Sequence, residues 1–136
     1  MDETAITRAF ADGDYTFFLP LIRCTAFKRE AGCSIYELFY WLGEHLGRID
    51  GTEVLTGPSP ADPEQSIHLI RNALIGGGVE PTQAKALVDQ YCFPARRSIY
   101  DMGLAWAILR AAIYGVEVGS KKKDETPTPT RSKKAG

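Results

Sequence analysis

The chain is poor in the residues that usually mark an enzyme. Its two histidines, His45 and His68, stand alone, and its three cysteines, Cys24, Cys33 and Cys92, include no Cys-x-x-C pair. Neither set has the spacing of a zinc site, and an unpaired, odd cysteine count reads as reduced, buried thiols. Gly76-Gly77-Gly78 does not lead into Gly-Lys-Ser/Thr but follows a helical pattern, so it reads as a helix stop and not as a phosphate cradle. No nucleophile, base and orienting group fall into one motif, and Glu37 and Glu44 read as solvated helix acids rather than a general acid and base. The expectation is a non-enzymatic protein with no catalytic residues, cofactor or metal.

Long apolar runs are lacking too. The longest, Met102 to Tyr114, is interrupted by Arg110 and falls short of the roughly 20 residues a membrane helix needs, so it reads as a buried or interface helix. The start, Asp2-Glu3-Thr4, has neither the basic stretch nor the apolar core of a signal peptide, and a cytoplasmic protein is expected. A strong charge of one sign is also missing: the net is -1 over 136 residues. That balance hides a division. Six Lys/Arg against Asp124 and Glu125 leave residues 121–136 at +4, while ten Lys/Arg against fifteen Asp/Glu leave residues 1–120 at -5. An acidic body argues against a nucleic-acid-binding domain, and any phosphate contact would fall to the tail.

What is present is a 44% hydrophobic, 24% charged composition, ordinary for one globular domain, with helical periodicity along most of it. Ile6–Phe10 and Tyr15–Leu19 flank Ala11-Asp12-Gly13-Asp14 and predict a β-hairpin. Pro20 and Gly32 bracket a helix over about 20–31 with Cys24, Phe27 and Ala31 inward. Ser34-Ile35-Tyr36-Glu37 is a capping box, opening a helix whose Ile35, Leu38, Phe39, Leu42 and Leu46 form one apolar face. Tyr36, Tyr40 and Trp41 widen that stripe, as core or as an aromatic patch for a partner.

Gly47–Ala61 shows no sustained period and reads as a surface loop. Asp62-Pro63-Glu64-Gln65 starts a helix with Ile67, Ile70 and Leu74 on its face, and Ala84, Leu87, Val88 and Tyr91 mark a shorter one that Phe93-Pro94 ends. The last helix, 98–114, is expected to be capped by Ser98 with Asp101. Ile99, Met102, Trp106, Leu109 and Ile113 make a seam, and the other faces are apolar as well, so a neighbour from a second chain, hence a homo-oligomer, is expected. Residues 120–136 hold no large apolar residue and predict a disordered Lys-rich tail. The expected fold is thus mainly α: a helical domain over 1–119, of about five helices with an N-terminal β-hairpin, followed by that tail.

The order of features is similar to that of the tail assembly chaperone family of gene transfer agents and related siphophages, some members of which have been labelled tail tube-like. Gly13-Asp14-Tyr15-Thr16-Phe17-Phe18-Leu19, Phe27–Gly32 with Ser34-Ile35-Tyr36-Glu37-Leu38, and Ile70-Arg71-Asn72-Ala73-Leu74 with Gly76-Gly77-Gly78 carry the likeness. Gln83–Val88, Leu104–Leu109 and Tyr114-Gly115 continue it, so that it spans roughly residues 5–118. Phe27-Lys28 departs from it, standing where family members usually carry Leu-Glu.

The resemblance implies a chaperone of phage tail assembly that keeps the tape measure protein soluble until tail tube protein polymerises around it. It implies work in the host cytoplasm and absence from the mature particle. A structural virion component, a tube or tail-completion subunit, is the alternative, and a small regulator with a nucleic-acid-touching tail ranks below both. Such chaperones are often made in two lengths by ribosomal slippage, and Lys121-Lys122-Lys123 stands at the expected junction. The expected partner and self-association residues are Tyr36, Tyr40, Trp41, Ile99, Met102, Trp106, Leu109 and Ile113.

Overall fold

Two helices form the centre of the computed structural model, which describes residues 3–116. In chain order the elements are β1 (Ile6–Phe10), β2 (Gly13–Phe17), α1 (Leu21–Ala31), α2 (Ile35–Gly43), β3 (Leu46–Ile49), β4 (Thr52–Leu55), α3 (Pro63–Gly76), α4 (Pro81–Tyr91) and α5 (Ser98–Tyr114). Helix α3 packs on α1, α4 and α5, and α5 in turn packs on α2 and β4. The fold is therefore the expected five helices with an N-terminal hairpin. The Lys-rich tail and its slippage site lie outside the described residues.

Local chemistry starts the helices where the sequence predicts. Ser34 Oγ accepts the Glu37 N–H at 3.1 Å while Glu37 Oε1 accepts the Ser34 N–H at 2.8 Å, a closed capping box that stabilises α2 by about 1 kcal/mol. Asp62 and Gln65 form the same reciprocal pair at the start of α3. Gly32, at φ 77°, adopts the left-handed turn that ends α1. Phe27, Leu38, Leu42, Leu69, Ile70 and Leu74 are fully buried, each contributing roughly 1.5–3 kcal/mol of transfer free energy.

Four expectations are corrected. The first hairpin turns at Ala11-Asp12, with Gly13 already paired to Phe10, so its second strand is Gly13–Phe17 and not Tyr15–Leu19. Helix α2 stops at Gly43, and Leu46 begins a strand instead of extending the helical face. The expected loop Gly47–Ala61 contains most of a second hairpin, turning at Asp50 (φ 51°) and Gly51 (φ 79°), the paired left-handed residues that two-residue hairpin loops favour. Finally, Ser98 is the first residue of α5, not its cap, and Asp101 turns back to accept the Phe93 N–H at 2.7 Å and Arg96 Nε at 2.6 Å.

Glycines let the two hairpins lie close to the central helices. A Cβ on Gly76 or Gly77 would overlap the Phe18 or Thr16 carbonyl, so the glycine run is a seat for β2 as well as a helix stop. The Phe18 N–H closes that seat by donating to the Ala73 carbonyl at 3.1 Å. Gly103 does the same for β4 on α5, with Glu53 and Val54 backbone against it. Part of the apolar surface of α5 is thus covered by β4 of the same chain.

Candidate interaction surface

Tyr36 and Tyr40, one turn apart on α2, are 67% and 65% exposed, and Tyr114 at the end of α5 is 72% exposed. Phe39 joins them. Its ring lies 5.9 Å from Trp106, stacked at an interplanar angle of 17°, and 5.9 Å from Tyr114. These pairs hold Phe39, Trp106 and Tyr114 in place as a floor, and with Tyr36 and Tyr40 projecting from the same helix as Phe39 they make up an aromatic shelf. Trp106, Arg110 and Tyr114 follow at four-residue steps along α5 and carry the surface on past the shelf.

At Trp106 lies a depression of about 490 Å³ whose lining includes Arg8 of β1, Arg48 of β3, Arg110 of α5, Glu53 of β4, Gly115 and Val116. Arg8 Nη1 meets Glu53 Oε1 at 2.9 Å, and Arg48 Nη2 lies 3.9 Å from Oε2. Burial alone would raise the Glu53 carboxyl. The Arg8 hydrogen bond, a backbone hydrogen bond and the two guanidinium charges outweigh it and hold the group below its ordinary value of 4.5.

The sign of the linkage follows. A carboxyl lowered in the folded state contributes stability that is fully present above the unfolded value and is lost as pH falls through the folded one. Thermal melts from pH 6 to pH 2 are expected to show a smaller acid-induced drop for Glu53→Gln than for the wild type. An identical drop in both would mean that Glu53 adds nothing to acid sensitivity.

The eight residues expected at an interface divide three ways. Tyr36 and Tyr40 are exposed; Trp41, Ile99, Trp106 and Ile113 are half-buried; Met102 and Leu109 are 4% and 0% exposed, inside this chain's own core. On the α5 seam, Met102 and Leu109 therefore face this chain's own core, and α2, α3 and β4 pack on that helix. Trp41 and Trp106 both pack on the core; the Trp41 carbonyl accepts the Ser59 hydroxyl at 2.9 Å, and Trp106 stacks on Phe39, which shares α2 with Tyr36 and Tyr40. Phe39, Tyr114 and the three arginines belong to the surface and were not among the expected residues. The step Trp106, Arg110, Tyr114 was a signal in the sequence for part of it.

Other groups serve the fold. Glu30 of α1 meets Arg71 Nη2 at 2.7 Å and Asn72 Nδ2 at 2.9 Å, tying α1 to α3, with His68 Nδ1 3.8 Å from the same carboxylate. The three cysteines are unpaired, and burial, then the Asp101 charge, pushes the Cys92 thiol up to about 12, so it stays protonated and a poor nucleophile. Among the described residues no cluster of His, Cys, Asp and Glu could hold a metal ion, and no helix is long and apolar enough to cross a membrane. Compared with family models, curated proteins and solved structures, the chain matches none.

Proposed function

We propose that this protein is a non-enzymatic tail assembly chaperone of a phage or gene transfer agent, binding the tape measure protein and keeping it soluble until tail tube protein assembles around it. The observation that carries the reading is the shelf of Tyr36, Phe39, Tyr40 and Tyr114 beside Trp106 and Arg110. Tyr, Trp and Arg are the side chains that dominate binding energy at protein interfaces, and here Tyr36, Tyr40, Arg110 and Tyr114 are exposed while Trp106 is half-buried against Phe39. A long apolar helical client aggregates through its exposed stripes, and an aromatic surface between two helices suits such a stripe. Several copies along one client gain avidity from weak single contacts, which also permits release when the tube closes.

Co-expression with the cognate tape measure protein is expected to raise the soluble yield of that protein severalfold. Tyr36→Ser with Tyr40→Ser is expected to remove most of the gain while leaving the chaperone's own melting temperature within a few degrees, since both rings are largely in water. An unchanged client yield with the wild-type protein would overturn the proposal.

A further inference from the structure

The aromatic shelf and the arginine depression are continuous through Trp106, which stacks on Phe39 at one side and lines the depression on the other. Around that depression stand three guanidiniums against two carboxylates: Glu53, which Arg8 and Arg48 engage, and Glu3, whose side chain reaches the rim at Gly115. Arg110 makes no ion pair among the described residues. The local excess of positive charge lies in a body whose residues 3–116 carry thirteen Asp/Glu against ten Lys/Arg. A basic patch on an acidic body selects partners by sign, because like charges brought together at an interface are costly and opposite ones steer encounter.

We infer that the occupant of this surface is an amphipathic helical segment of another protein with its apolar face on Tyr36, Phe39, Tyr40 and Tyr114 and with carboxylates at the end that meets Arg110, Arg48 and Arg8. This rests on the proposed client-binding role and adds the sign of the client's charge. Two other occupants fit less well. The chain's own residues 121–136 carry six Lys/Arg against two acids and bear the same sign as the depression. A second copy docking with its two-fold axis at the depression would place arginines on arginines. Glu37 on α2 and Glu44 just after it, both exposed, border the tyrosines, so the charge preference belongs to the arginine end alone.

The test uses the full chain and two fluorescein-labelled amphipathic peptides with the same leucine face. One carries glutamates and the other lysines at the polar positions of one half, with glutamines elsewhere, and a single-stranded DNA of 20 nucleotides forms a third arm. The glutamate peptide is expected to bind about tenfold more tightly than the lysine peptide and to weaken with added salt. Arg110→Glu is expected to abolish or reverse that preference without shifting the melting temperature. Equal binding of both peptides, or preference for lysine, overturns the charge inference and leaves client binding by the aromatic shelf standing. Binding of neither peptide overturns both. Binding of DNA alone, lost in Arg110→Glu, overturns the inference in favour of a polyanion.

Discussion

Alanine at position 103 is expected to destabilise the fold by about 3 kcal/mol or more, although alanine is the better helix former by about 1 kcal/mol. Steric overlap decides the sign. A Cβ there would overlap the Glu53 carbonyl group and come 2.8 Å from Val54 Cα, all of it backbone that has no rotamer to change. Helix α5 cannot retreat either, because α3 packs on it and Ala105, Ile108 and Leu109 are buried. The natural control is Gly43→Ala, where the new Cβ would meet the Trp106 indole at 3.4 Å, an ordinary contact, and stability is expected to hold or rise. Urea melts of the two variants check this: a Gly103→Ala protein as stable as the wild type would contradict the close approach of α5 and β4.

Asp101→Ala carries the next largest expected effect, about 3 kcal/mol. The carboxylate is fully buried and ties the segment after α4 to the first turn of α5 through the Phe93 N–H and Arg96 Nε. Its removal leaves a buried N–H without its acceptor and a guanidinium, itself 33% exposed, without its counter-charge. Arg96 also lies 5.4 Å over the Phe10 ring, so the loss reaches the first hairpin. Because apolar replacement of both partners of a buried pair is often tolerated, Asp101→Leu with Arg96→Met is expected to recover part of the loss. A double variant less stable than Asp101→Ala would show that the pair is worth more than its shape.

Much of the architecture was readable because it depends on local chemistry. The cap at Ser34, the Asp62-Pro63 start and the left-handed Gly32 act within a few residues, and each is found as the sequence predicts. The second hairpin was missed for the opposite reason. Its strands have four residues each, and Glu53, Val54 and Leu55 are buried in succession, so no alternation marks β4. Only Asp50-Gly51 signalled it, between residues read as a loop.

The same miss hid the cover that β4 gives to one face of α5. Asp101 looked like a cap partner of Ser98 because its bond to the Phe93 N–H depends on how the chain enters α5. Tyr36 and Tyr40 were legible as an aromatic patch because they sit on one helix. The arginines were not, since Arg8, Arg48 and Arg110 meet only through the packing of β1, β3 and α5.

Client capture by the aromatic shelf is tested most directly by hydrogen exchange on the full chain, alone and in a co-purified complex with the tape measure protein. Added protection is expected over residues 35–43 and 106–114, the segments that carry Tyr36, Phe39, Tyr40, Trp106, Arg110 and Tyr114. Protection confined to α4 or to the first hairpin, with those two segments unchanged in a stoichiometric complex, would contradict the account.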